Sequence, residues 1–192
     1  MKSIISLLFI ALFIFPASSF SQAAKVSINK TSNGFQLIKN DEPYYIKGAG
    51  AKSNFKKVVE SGANSIRIWS TNKSELLDSA YKYNLSVCLG IWVAQERNGF
   101  NYNDEYNVRS QIELIKKEII RLKDHPSVIL WGIGNEVDLQ YSNFKVWETI
   151  EEIAKFIKKV DPNHPTATVI AGLDPAILVT CRLAYWCSSS PW

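Results

Sequence analysis

Ile129-Leu130-Trp131-Gly132-Ile133-Gly134 is an unbroken apolar run that turns at once into Asn135-Glu136-Val137. A strand with one wet face alternates apolar and polar residues, whereas a run with no polar member suits a parallel strand covered on both faces. In parallel sheets the chemistry gathers at the carboxyl ends of the strands. The expectation is therefore a buried strand with an amide and a carboxylic acid at its functional end. Taken alone, the Asn-Glu pair could equally open a solvated loop.

The rest of the chain alternates strand and helix around that run. Phe35-Gln36-Leu37-Ile38 and Tyr44-Tyr45-Ile46-Lys47-Gly48 flank the turn-forming residues 39–43, which predicts a hairpin leading into a first strand. Phe55, Val58 and Val59 give a helical face, residues 65–70 a second strand, and Leu76, Leu77, Ala80 and Tyr81 the next helix. Residues 87–93 read as a third strand. Ile112, Ile115, Ile119 and Leu122 recur at steps of three and four, as do Val146, Ile150, Ile153, Ile157 and Val160. Each stripe stops just before a His-Pro or Asp-Pro pair. Residues 166–172 supply a fifth strand. A barrel and an open doubly wound sheet share this rhythm, but no Gly-rich phosphate turn follows the first strand, which disfavours the nucleotide-binding sheet.

An eight-stranded barrel takes at least about 200 residues, and the chain has 192. The expectation is an α/β fold, a partial (β/α)8 TIM barrel with strands one to five and an irregular C-terminal tail over 176–192. Residues 181–192 carry no period, as a premature stop or shifted reading frame near Asp174 would produce. The alternative is a genuine terminal segment pinned by its tryptophans and a Cys181–Cys187 bridge, which an exported protein would allow but sequence cannot settle.

The amino terminus has the three parts of a secretory signal: Lys2, an apolar run over 4–15, and small residues ending at Ala23. Cleavage after Ala23 would leave 24–175 as the barrel portion and a secreted or periplasmic protein. The apolar run is shorter than the about 20 residues of a spanning helix, so no stable membrane insertion is expected. The formal charge of +4 comes from 22 basic and 18 acidic residues mixed along helix faces. No basic stripe points to nucleic acid. Cysteine spacing suggests no metal site, and His125 and His164, each before a proline at a strand entrance, read as structural.

His125-Pro126-Ser127-Val128 leading into residues 129–137 resembles the fourth-strand signature of the retaining glycoside hydrolases of clan A, family 2 in particular. Gly62-Ala63-Asn64-Ser65-Ile66-Arg67-Ile68-Trp69-Ser70 resembles the second strand of the same barrels, and the similarity spans about 36–172. The resemblance implies a β-linked glycan as partner, no cofactor, and Glu136 as catalytic acid/base. It implies that Asn135 bonds the sugar hydroxyl beside the reacting carbon and that Arg67 braces a nucleophile borne on a seventh strand. Retaining chemistry needs two carboxyl groups about 5–5.5 Å apart, and no seventh strand can be placed here. Glu96 and Asp104, in the loop after the third strand, are weak candidates for the second. Trp69 and Trp92 end strands where flat rings could stack on sugars, though either could pack in the core. Asn135 could cap a loop and Arg67 could sit in a surface ion pair. Where many family 2 enzymes place a His-Tyr-Pro type segment after the second-strand arginine, this chain has Ile68-Trp69-Ser70-Thr71, closer to glucan-active relatives, so the substrate class stays open. A noncatalytic or vestigial carbohydrate-binding half barrel, or a β-glucan transglycosylase, would share these features. Open strand edges would favour self-association.

Overall fold

Asn40 and Asp41 both take positive φ, 52° and 67°, the conformation that closes a two-residue hairpin and that these two residue types tolerate. The computed structural model describes residues 22–172 together with the backbone of 184–187. The proposed export signal and the side chains of Cys181 and Cys187 lie outside the described residues. Around the Asn40-Asp41 turn, β2 (Gly34–Lys39) pairs antiparallel with β3 (Glu42–Pro43), in the register Lys39↔Glu42 and Ile38↔Pro43. The hairpin is thus tighter than the sequence suggested: Tyr44 N–H still donates to Leu37 O at 2.8 Å, and residues 45–47 leave the ladder. A further strand, β1 (Val26–Thr31), extends this sheet on the other side of β2. It escaped the sequence reading because all but Val26 of its residues are exposed, leaving no buried face to impose a pattern.

The second sheet carries the βα rhythm. Its strands are β4 (Gly48–Gly50), β5 (Ser65–Ile68), β6 (Ser86–Ile91), β7 (Val128–Asn135), β8 (Thr166–Ile170) and β9 (Ala184–Cys187), all parallel and paired in chain order. Sequential order without a reversal is the winding of a barrel, not of a doubly wound sheet. The five expected strands are β4 to β8. The sixth corrects the expectation of an irregular tail at four residues: Ala184–Cys187 runs beside β8, with Val169 opposite Trp186. Ladder bonds to an existing edge can order so short a segment without any periodicity of its own.

Helices α1 (Phe55–Glu60), α2 (Glu75–Lys82), α3 (Glu105–Leu122) and α4 (Lys145–Val160) fill the crossovers. Asp104 caps α3 by accepting from the Asn107 N–H at 3.0 Å, which satisfies one of the orphan donors of its first turn. The buried residues of α3 are the predicted stripe Ile112, Ile115, Ile119 and Leu122. In α4 Val146, Ile150, Ile153 and Ile157 are buried, joined by Trp147 and Ala154. At roughly 1.5–3 kcal/mol per fully buried large aliphatic side chain, these two stripes are the main attachment of the helices to the sheet.

The hairpin sheet closes the amino-terminal end of the barrel. Tyr44 Oη reaches Ser65 Oγ at 2.8 Å and Ser86 Oγ at 3.0 Å, the first residues of β5 and β6, and Lys39 Nζ donates to Ser86 Oγ at 2.8 Å. Ala24, Val26, Ile129, Leu130 and Ala167 pack into a small core beneath the strands. Near that end Trp131 Nε1 donates to Asp161 Oδ2 at 2.7 Å, and His164 Nδ1 lies 2.8 Å from the same oxygen. His125 meets Asp78 and Ser127 at the entrance to β7. Both histidines therefore sit at strand entrances, away from the carboxyl-terminal face.

Candidate active site

β7 ends one residue before Glu136. Its register against β8 slips between Gly132 and Asn135, and an irregularity of this kind re-aims the side chains beyond it. Gly134 has φ 74° and Glu136 has φ 51°. For a glutamate the left-handed region costs on the order of 1–2 kcal/mol, so the surrounding structure must hold it there. Glu136 N–H donates to Val169 O at 2.7 Å, and its carbonyl accepts from Leu139 N–H at 3.2 Å and from Arg97 Nη1 at 2.7 Å.

Asn135 is fixed as firmly. Arg67 Nη2, from β5, donates to Asn135 Oδ1 at 2.7 Å, and Gln95 Nε2 donates to the Asn135 carbonyl at 2.5 Å. The Arg67 guanidinium lies 5.2 Å from the centre of the Trp69 ring, a cation–π distance. Burial lowers its pKa, while the Glu136 carboxylate pulls in the opposite direction. Cys88, beneath Arg67, is pushed up to about 11 by burial against a smaller opposing effect of that guanidinium, and so stays a thiol at neutral pH.

Arg67, Trp69, Asn135 and Glu136 line one cavity of about 340 Å3, whose walls below are the small and apolar residues of the strands. Glu136 is the one carboxylate among its described lining residues. Trp69 is wedged in place: a Cβ on Gly50 would fall 2.5 Å from its ring, and a Cβ on Gly90 2.6 Å from its backbone. Glycine at both positions lets the end of β5 lean over its neighbours. Lys52 Nζ also lies 5.7 Å from the ring centre, so cations flank the indole. Trp92 is half exposed and lines a neighbouring hollow with Gln95, Asn98 and Phe100. Of the five sequence-predicted site residues the structure gathers four, and it sets Trp92 to one side.

Sequence reasoning missed the β6–α3 loop as a bracing element. The short turn Glu96–Asn98 carries Arg97, whose Nη2 lies 3.9 Å from Glu136 Oε2. Its neighbour Glu96 accepts the N–H groups of Ser142 and Asn143 at 2.7 and 2.8 Å, engaged with the loop after β7, and it does not line the cavity. Asp104 is the α3 cap. Neither weak candidate for a second carboxylate is therefore presented to the cavity. No cluster of three His, Cys, Asp or Glu able to hold a metal ion occurs among the described residues, and no helix there is long and apolar enough to cross a membrane.

Comparison with known structures gives the same architecture. A β-D-glucuronidase of Dictyoglomus thermophilum matches with a TM-score of 0.62 at 22% identity, over 78% of this chain and 29% of that one. A β-glucuronidase of Ruminococcus gnavus, in complex with a C6-substituted uronic isofagomine, gives 0.63 at 19% identity over 83% and 29%. A β-galacturonidase of Eisenbergiella tayi bound to galacturonate gives 0.60 at 20% over 77% and 28%. The chain thus spans under a third of the length of these proteins, and at such identities the likeness is one of fold. The sequence profile of "Glycosyl hydrolases family 2, TIM barrel domain" matches residues 70–189, taking in β6 to β9, Asn135, Glu136 and most of the stretch read as a tail. With well over half of its residues matched, the chain belongs to the TIM barrel domain of glycosyl hydrolase family 2.

Proposed function

We propose that this chain forms the acid/base side of a retaining β-glycoside hydrolase site acting on a β-linked glycan. The observation that carries the reading is the meeting of Arg67, Asn135 and Glu136 at one cavity on the carboxyl-terminal face. In this reading Glu136 protonates the leaving oxygen and later deprotonates the incoming water. Asn135, oriented by Arg67, bonds the hydroxyl beside the reacting carbon, an interaction that strengthens as charge develops there. Burial around Arg67 keeps its guanidinium unhydrated on one side, so a carboxylate brought opposite it would be held strongly.

A second reading rests on a separate observation: Glu136 has no carboxylate partner among the described residues of the cavity. The chain by itself would then bind a glycan without cleaving it, and the nucleophile would come from polypeptide outside the described residues. Residues 1–23 would direct the protein out of the cytoplasm.

The test is to titrate the isotope-labelled chain with phenyl β-glucoside, phenyl β-glucuronide and phenyl β-galacturonide while following its amide and arginine resonances. Shifts centred on Arg67, Asn135 and Glu136 with one of these glycosides, and their loss in Arg67→Met, are the expected result. Shifts confined to residues outside the cavity, or none with any β-glycoside, would count against the reading.

A further inference from the structure

Glu136 stands in a backbone conformation that glutamate disfavours, and besides its main-chain bonds to Val169 and Leu139 it is held from a different loop. Arg97 spends its two terminal nitrogens on this single residue: Nη1 donates to the Glu136 carbonyl at 2.7 Å, and Nη2 lies 3.9 Å from the carboxylate. Its side chain is only 19% exposed, so water competes poorly for the carbonyl contact, while the carboxylate, on a side chain 36% exposed, is held more loosely. Two positions earlier, Gln95, itself buried, holds the Asn135 carbonyl at 2.5 Å, and Asn98 Nδ2 donates to Gln95 Oε1 at 2.8 Å to fix that amide. Between them Glu96 binds the N–H groups of Ser142 and Asn143, which sit just beyond the turn that Glu136 opens. Three consecutive side chains from one loop thus grip the main chain at the carboxyl end of β7 and in the loop beyond it.

We propose that Gln95, Glu96 and Arg97 form a positioning clamp for the acid/base residue, with Arg97 as the member that fixes Glu136. The functional sense of the clamp rests on the reading of Glu136 as acid/base. A proton donor must sit within a few tenths of an ångström of its target, and past the strand end Glu136 keeps a single ladder bond, from its N–H to Val169 O at 2.7 Å. Arg97 adds a hold on the carbonyl side of the residue. A planar guanidinium can serve a carbonyl and a carboxylate of one residue at once because its donors form a fixed fork, which a lysine ammonium cannot reproduce. Arg97 acts through Glu136 and is a positioning residue, with no role in touching the sugar.

The experiment compares the full chain with Arg97→Gln, Arg97→Lys and Glu136→Gln by amide hydrogen exchange and by the short intraresidue N–H to Hα distance that marks positive φ. In Arg97→Gln the amide of residue 136 is expected to exchange at least about tenfold faster, because a residue no longer held at its carbonyl by a charge-assisted bond releases its N–H from Val169 O more often, and the positive-φ signature to weaken. Amides of β7 from Val128 to Ile133 keep their protection. Arg97→Lys gives an intermediate value, and Glu136→Gln, which keeps the carbonyl contact, retains the signature. Unchanged exchange and signature at residue 136 in Arg97→Gln would overturn the proposal. So would faster exchange spread evenly along β7, or loss of the fold in both Arg97 variants, since either result would make Arg97 a support of the whole domain. No sugar enters these measurements, so a failed clamp leaves the glycosidase reading standing, and a failed glycoside titration leaves the clamp standing.

Discussion

Arg67 Nη2 and Asn135 Oδ1 lie 2.7 Å apart, joining β5 to β7 across the intervening β6. The bond passes over Cys88 at the mouth of the barrel, where Gly90 lets the end of β5 approach. It therefore depends on three successive strands being in register. Arg67→Met keeps much of the aliphatic stem but removes the donor and the cation beside Trp69. The chain should lose about 1–2 kcal/mol of stability, measured as a lower urea midpoint at unchanged slope. An unchanged midpoint would mean that the bond contributes nothing to ordering Asn135.

Asp161 joins β7 to the α4–β8 connection through buried contacts with Trp131 and His164. Burial pushes its carboxyl up, but the bonds from His164, Trp131 and the Asn163 N–H outweigh this and hold it below the usual carboxylate range. A folded-state pKa below the unfolded value of about 3.9 stabilises the protein above that pH, and the gain is lost as pH falls through the folded value. Asp161→Asn should cost about 1–3 kcal/mol at pH 7. The gap from the parent should close as the pH is taken below about 4, which urea unfolding at a series of pH values would read. A gap independent of pH would assign the loss to packing alone.

Cys88 lies half-buried beside Arg67 on the cavity wall, with its thiol pushed up to about 11 by desolvation. Alkylation by iodoacetamide at pH 8 requires the thiolate. Peptide mapping should find Cys88 modified much more slowly in the folded chain than in urea. Equal rates in the two conditions would show that the fold does not raise the thiol's pKa.

The parts that could be read from the sequence are those with a buried face. The α3 stripe from Ile112 to Leu122 and the apolar run of β7 carry their burial in their spacing, and both fall where expected. β4 has only three residues, two of them exposed, and was reachable only through the hairpin that precedes it. β9 is four residues long and takes its order from β8, so its own sequence contains little trace of it. At the site, Glu136 and Asn135 were legible because a strand end is a fixed place in a parallel sheet. The clamp of Gln95, Glu96 and Arg97 was not, because its partners lie 39 to 47 residues away, at the end of β7 and in the loop after it, and a hydrogen bond between distant segments imposes no period. The sequence made Glu96 a candidate for chemistry, and the fold gives it two backbone N–H groups to hold.

The most direct measurement is hydrolysis of aryl β-glycosides by the refolded chain beside a Glu136→Gln control. A lone acid can donate a proton, but it cannot also attack the sugar from the opposite face, and Glu136 is the one carboxylate among the described cavity residues. The account predicts glycoside-dependent shifts at Asn135 and Glu136 with no release of the aryl alcohol above the control. Turnover clearly above Glu136→Gln would contradict it, because a second carboxylate would then have to reach the cavity within this chain or from another copy of it.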